Sequence, residues 1–110
     1  MKRARVHLPQ TYDAVRVLGL EIAQARRKHH WTVAQLSERC GISTGTLHQV
    51  EQGAPTVAIG IVFELAILLG IELFDTEPSQ LSSLVGRGQD RLAVLPARVR
   101  DSNIPVDDDF

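Results

Sequence analysis

Hydrophobic positions recur along this chain with the period of an α-helix, and capping residues divide the pattern into segments. The first segment, Tyr12 to His30, has its apolar residues on one helical stripe, formed by Val15, Leu18, Ile22 and Ala25. Thr32 and Ser43 are suitable N-caps, because a side-chain oxygen there accepts a hydrogen bond from an unpaired backbone N–H group. They predict two short helices, from Thr32 to Cys40 and from Ser43 to Gln52.

These two short helices start about eleven residues apart and are predicted to form a helix-turn-helix. Gly41 lies where the chain must reverse, and glycine adopts the left-handed backbone conformation at little cost. Five apolar side chains then face one small core: Leu36, Cys40, Ile42, Leu47 and Val50. The exposed face of the third helix is polar and has no carboxylate, which favours contact with DNA bases, and it consists of Thr44, Gly45, His48, Gln49 and Gln52.

Two further helices are predicted in the second half of the chain. Thr56 is the expected cap of a fourth helix, Val57 to Leu69, which is apolar on nearly every side. Such a helix must be buried all round, and a chain of 110 residues has too little other structure to cover it, so dimerisation is expected. Pro78 opens a fifth segment, in which Gly86 and Gly88 favour a kink or a break. Its apolar stripe consists of Leu81, Leu84, Val85, Leu92 and Leu95.

Charge is divided unevenly along the chain, although the formal net charge is only −1. Residues 1–50 carry eight basic and three acidic side chains, which gives a formal charge of +5. Residues 51–110 carry four basic and ten acidic side chains, which gives a formal charge of −6. The predicted helix-turn-helix lies in the basic half. This arrangement favours a surface that faces phosphate over a chance fluctuation of charge.

Several other classes of protein are excluded by composition and spacing. The single cysteine cannot form an intramolecular disulfide, and no His/Cys cluster has the spacing of zinc ligands. Because no nucleophile–base pair, phosphate-binding loop, dinucleotide fingerprint or carboxylate pair occurs, we expect no enzymatic activity, no metal and no cofactor. The basic N-terminus lacks the apolar core of a signal peptide, and the apolar run over residues 57–71 is too short for a membrane span. The expected location is cytoplasmic and associated with the nucleoid.

Seven positions taken together resemble the λ-repressor-like (XRE/Cro) helix-turn-helix family, over about residues 14–74: Leu36, Gly41, Ile42, Leu47, Val50, Glu51 and Gly53. The resemblance implies an all-α DNA-binding domain of about five helices, here with an additional C-terminal helix and a flexible acidic tail. The expected boundaries are 1–11 for a basic arm, 12–76 for the domain, 77–96 for the C-terminal helix and 97–110 for the tail.

The resemblance also implies site residues. It places Thr46 near a phosphate, and Arg26 at the first-helix arginine that often pairs with the glutamate matching Glu51. With Thr32 at the start of the second helix, the expected DNA-binding set is Arg26, Thr32, Thr44, Gly45, Thr46, His48, Gln49 and Gln52. Two positions depart from the family. Val33 replaces a glutamine that bonds phosphate, and Ser37 replaces an alanine.

A narrower resemblance comes from three stretches: the apolar segment over residues 55–74, Leu-Pro-Ala-Arg-Val-Arg at residues 95–100, and Val-Asp-Asp-Asp-Phe at residues 106–110. Together they are similar to the HipB-like regulators that accompany HipA-type kinase toxins. This implies an antitoxin of a HipBA-like operon that also represses its own operon. Because the polar face of the third helix lies beside a basic first helix, we expect a homodimer on a palindromic operator in double-stranded DNA. Two alternatives stay open: a stand-alone XRE-family regulator without a toxin, and a protein-interaction module that has lost DNA binding, which Val33 and Gly45 favour.

Overall fold

The structure, a computed structural model, describes residues 6–99 of the chain. Five α-helices follow one another in this range: α1 Pro9–Lys28, α2 Val33–Cys40, α3 Thr44–Glu51, α4 Ile59–Leu68 and α5 Leu81–Ala93. A 3₁₀ turn, Pro78–Gln80, precedes α5, and Leu73 and Thr76 form an isolated antiparallel bridge. The predicted all-α fold class is therefore confirmed. The predicted acidic tail, except for residues 97–99, and the first five residues of the predicted arm lie outside the described residues.

Contacts divide the chain into two compact units, Met1–Pro78 and Ser79–Phe110. In the first unit, α1 to α4 pack around one core, and each of the four helices contributes to it. The buried residues of this core are Ile22, Leu36, Leu47, Val50, Leu65 and Leu69. Cys40 and Ile42, which were predicted to face the core, are partly buried and pack against it.

The caps of α2 and α3 are the predicted ones. Thr32 Oγ1 accepts a hydrogen bond from the N–H of Gln35 at 3.0 Å, and Gln35 Oε1 accepts one from the N–H of Thr32 at 2.9 Å. Ser43 Oγ accepts from the N–H of Thr46 at 3.0 Å. Gly41, between the two helices, has a φ of 71°, which is the left-handed conformation expected at the turn. Local sequence signals thus determine the helix-turn-helix.

Helix α1 begins at Pro9 and not at the predicted Tyr12. Proline suits the first position of a helix, because its missing N–H group would have no helical partner there and its φ is already helical. The carbonyl of Leu8 accepts hydrogen bonds from the N–H groups of Thr11 and Tyr12, at 2.9 and 3.3 Å. The last three residues of the predicted basic arm therefore belong to the helix.

Helix α4 begins at Ile59, two residues later than predicted, and Thr56 is not its cap. Ala58 occupies the N-cap position and makes no side-chain hydrogen bond, while Val57 packs against the core from the preceding loop.

Helix α4 was also expected to be buried all round. Within the first unit only one side is buried, because Leu65 and Ala66 are fully covered whereas other apolar residues, Ile59, Ile67 and Leu68, are 69%, 41% and 40% exposed.

The second unit contains α5, which runs without interruption through Gly86 and Gly88. The predicted break into two pieces is therefore wrong, whereas the alternative of a kink stays a prediction. Glycine weakens a helix through its conformational freedom, but unlike proline it neither removes a backbone hydrogen bond nor clashes with the preceding turn. No residue of α5 is buried, and of its apolar stripe Val85 and Leu92 are 60% and 69% exposed.

Candidate nucleic-acid interface

Helix α3 presents a polar face to solvent and an apolar face to the core. Leu47 and Val50 lie on the apolar side and are buried. The helical period predicted which residues lie on the opposite side, and all of them are exposed: Thr44, Gly45, His48, Gln49 and Gln52. The structure thus brings five of the predicted site residues together on one surface, which we call the α3 face.

The acidic side chain of α3, Glu51, is withdrawn from this face into a buried ion pair. Its carboxylate accepts two hydrogen bonds from Arg26, from Nε to Oε2 at 2.7 Å and from Nη2 to Oε1 at 3.1 Å. Arg26 also donates from Nη1 to the carbonyl oxygen of Trp31 at 3.0 Å. Hydrogen bonding to Glu51 raises the pKa of Arg26 above its ordinary value, although burial opposes this shift. The two charges neutralise each other, so Glu51 adds no negative charge to the α3 face.

The assignment of Arg26 to the DNA-facing residues is corrected by this geometry. The side chain is buried, and all three of its guanidinium nitrogens donate hydrogen bonds within the protein. The pairing with Glu51 that the family resemblance implied is present. Arg26 therefore positions α1 against α3 and does not form part of the exposed surface.

Thr32 and Thr46, the two remaining site residues, take part in helix caps. Thr32 is exposed at the start of α2. Thr46 is half-buried, and its hydroxyl oxygen lies 2.9 Å from Ser43 Oγ. Both lie beside helix N-termini, where unpaired backbone N–H groups and the helix dipole attract anions. Their contacts with DNA stay predictions.

A close approach between α1 and the end of α3 was missed by the sequence analysis. A Cβ atom at Gly19 would lie 2.9 Å from the carbonyl oxygen of Glu51, and one at Gly53 would lie 2.8 Å from Arg16 Cα. Arg16 Nη1 donates a hydrogen bond to the same carbonyl oxygen of Glu51 at 2.7 Å. The one signal in the sequence is Gly19 itself, because glycine inside a helix lowers stability unless two backbones must meet there.

Trp31 lies at the corner between the first two helices. Its ring stacks on that of His29 with a centroid distance of 5.1 Å, and the guanidinium of Arg39 lies 4.5 Å from the ring centroid. His29 Nε2 lies 3.1 Å from the carbonyl oxygen of Leu69, at the end of α4. The cluster joins α1, α2 and α4 beside the core.

The lone cysteine, Cys40, is partly buried and packs against the core. Burial, together with the charge of Glu64, raises the pKa of the Cys40 thiol, and this disfavours the reactive thiolate. Among residues 6–99, no group of three or more His, Cys, Asp or Glu side chains could hold a metal ion. In the same range, no helix is both long enough and apolar enough to cross a membrane.

Comparison with protein families agrees with this geometry. Residues 22–75 match the family model described as helix-turn-helix. The chain carries a domain of the helix-turn-helix family. The match runs from the middle of α1 through α4, so this helix-turn-helix domain includes the α3 face and the Arg26–Glu51 pair. The family is one of DNA-binding domains and is typically not enzymatic. No curated protein and no solved structure matches the chain.

We expect the substitution Gly19→Ala to destabilise the helix-turn-helix domain. The added methyl group would collide with the carbonyl oxygens of Val50 and Glu51, and α1 and α3 would have to separate. The free energy of unfolding, measured by chemical denaturation, should fall by about 2 kcal/mol.

Gly60→Ala is the matched control, because nothing lies within 4 Å of a Cβ added at that position in α4. This variant should be slightly stabilised, by about 0.5 kcal/mol, through its higher helix propensity. Equal effects of the two substitutions would contradict the close approach of α1 to α3.

Proposed function

We propose that the protein is a sequence-specific transcriptional repressor that inserts α3 into the major groove of DNA. The observation that carries the proposal is the withdrawal of Glu51 into its pair with Arg26, which leaves hydrogen-bonding groups and no acidic side chain on the exposed α3 face. Glutamine reads adenine through two hydrogen bonds, and threonine bonds base edges or contacts the thymine methyl group. Gln49 and Thr44 are therefore the proposed principal base-reading residues, and His48 and Gln52 extend the same contact.

Contacts with the DNA backbone would orient this face. Thr32 and Thr46 lie at the N-termini of α2 and α3, where backbone N–H groups favour phosphate. Val33 supplies no phosphate contact at the position where the family has glutamine. Gly45 is exposed, with no atom closer than 3.8 Å to an added Cβ, so the backbone of α3 can approach the DNA closely at its start.

The proposed repressor acts as a homodimer on a palindromic operator. The two recognition helices of such a dimer enter successive major grooves about 34 Å apart. Support comes from the exposed apolar residues of α4 and from the exposed members of the α5 stripe, Val85 and Leu92, which are suitable for self-association. The proposal includes a cytoplasmic, nucleoid-associated location, where such an operator would be bound.

Replacing Gln49 or Thr44 by alanine tests the base-reading assignment. Each substitution should weaken binding to a duplex selected from random sequence by about 1–3 kcal/mol and relax the base preference at one position. Fluorescence anisotropy on the selected duplex and its single-base variants measures both effects. Gln89→Ala, an exposed glutamine on α5, is the control and should leave base preference unchanged. Unchanged binding by both α3 variants would show that this face does not read bases.

The substitutions Leu68→Asp and Leu84→Asp test the proposed dimer. Leu68 is 40% exposed on α4 and Leu84 lies on the stripe of α5, so a carboxylate at the interface would weaken self-association. Sedimentation should show at least one variant shifted towards monomer. Val17→Asp, at an apolar residue of α1 that is 54% exposed, is the control. If both test variants remain dimers while folded, the apolar surfaces of α4 and α5 serve another contact.

A second proposed function is neutralisation of a HipA-type kinase toxin. It is favoured by the sequence at residues 106–110, Val-Asp-Asp-Asp-Phe, in which acidic residues precede one aromatic side chain. An acidic segment is attracted to a basic cleft on a partner and can be anchored there by a single ring. These residues lie outside the described part of the chain.

Deletion of residues 102–110 separates the antitoxin from a stand-alone regulator. When a kinase encoded beside the gene is co-expressed, the truncated chain should neutralise it less well than the full chain does, while operator affinity changes little. Full neutralisation by the truncated chain would leave the tail without this role. A chain that binds no duplex DNA at all would instead favour the third alternative, a protein-interaction module.

A further inference from the structure

A cleft of about 270 Å³ lies between α1 and the end of α3. Its polar lining residues are Arg16, Gln24, Arg27, Glu51 and Gln52, and we call it the α1–α3 cleft. Arg16 precedes the segment that matches the helix-turn-helix family, which begins at residue 22. Part of this cleft therefore belongs to the N-terminal extension of α1, for which the family match assigns no role.

Two arginines give the cleft a positive charge that no acid in it neutralises. Arg16 and Arg27 are eleven residues apart, so both project from the same side of α1, and both are exposed. Within residues 6–99, Arg27 makes no side-chain hydrogen bond or ion pair, and Arg16 makes one hydrogen bond, to the carbonyl oxygen of Glu51. The carboxylate of Glu51 also lines the cleft, but both its oxygens are bonded to Arg26. The cleft is thus suited to an anion.

The walls of the cleft are held in place by backbone contacts. Gly19 and Gly53 allow α1 to approach the end of α3 closely, and the hydrogen bond from Arg16 to the Glu51 carbonyl joins the two walls directly. Gln52 belongs both to the cleft and to the α3 face. An anion in the cleft would therefore lie beside the surface that is proposed to contact bases.

The spacing of the arginines favours a polymeric anion. Eleven residues of α-helix extend about 16 Å, whereas each nucleotide of one strand adds about 3.4 Å along the axis of a DNA helix. The two arginines are thus attached to α1 at points that are several nucleotides apart, which suits a run of phosphates better than one phosphate. The amide group of Gln24, which also lines the cleft, adds a neutral donor of the kind that contacts phosphate oxygens.

We propose that the α1–α3 cleft binds the phosphodiester backbone of the DNA strand beside the major groove, with Arg16 and Arg27 on different phosphates. This inference rests on the proposed function, since α3 must lie in the groove for its neighbour to be a DNA strand. The contact is independent of base sequence. It contributes affinity and fixes the angle at which α3 enters the groove.

Binding of the full chain to a selected duplex and to a random duplex, measured by anisotropy over a range of salt concentrations, tests this proposal. Arg27→Gln should weaken both interactions by a similar factor, about fivefold, as expected for one of several phosphate contacts. The slope of log K against log salt concentration should become less steep by about one. Arg16→Gln should act likewise, whereas Arg16→Lys, which keeps the charge, should retain the slope of the original chain.

Lys28→Gln is the matched control, because it removes one cation from the next position of α1, outside the cleft. If Arg27→Gln changes neither affinity nor salt dependence more than Lys28→Gln does, the cleft does not bind DNA. A loss of affinity for the selected duplex alone would also overturn the proposal. Failure of the unsubstituted chain to bind any duplex is a different result, because it refutes the proposed function itself.

Discussion

The buried ion pair between Arg26 and Glu51 is the interaction on which the arrangement of the first unit depends. It joins α1 to α3, and the third guanidinium nitrogen of Arg26 bonds Trp31 at the corner that leads into α2. Removing either partner would leave a buried charge uncompensated, which typically costs about 3–5 kcal/mol. The same pair removes the acid of α3 from the surface where phosphate is expected. Stability and the electrostatics of the α3 face therefore depend on one contact.

Two glycines, Gly19 and Gly53, impose a second constraint. They allow the part of α1 before residue 22 to pack closely against the end of α3. The ion pair fixes which side of α3 meets α1, but only the absence of side chains at Gly19 and Gly53 lets the backbones meet closely enough for Arg16 to bond the Glu51 carbonyl. Arg16 and Leu20, in the part of α1 before residue 22, thereby form part of the wall of the α1–α3 cleft.

Local sequence signals predicted some elements of this structure, but they did not predict the start of α4 or the contacts between distant parts of the chain. Thr32, Gly41 and Ser43 each act within one turn of chain, so α2, α3 and the residues on the exposed face of α3 followed from the sequence. The start of α4 did not, because Ala58 carries no capping signal and Thr56 offered a false one. The approach of α1 to α3 and the burial of Arg26 connect residues at least 25 positions apart. Helical periodicity contains no information on such contacts, and only the family resemblance pointed to the pairing of Arg26.

Two features support the proposed homodimer. One is the small size of α3, and the other is the set of exposed apolar residues on α4 and α5. An eight-residue helix is about 12 Å long and presents only a few side chains to base edges. Each good bidentate contact contributes about 1–3 kcal/mol of discrimination, whereas specific regulators exceed their non-specific binding by about 4–10 kcal/mol. One α3 face reaches the lower part of that range at most, and phosphate contacts in the α1–α3 cleft add affinity without selectivity. Two copies related by symmetry double the base contacts, and the exposed apolar residues of α4 and α5 provide surface through which such copies can associate.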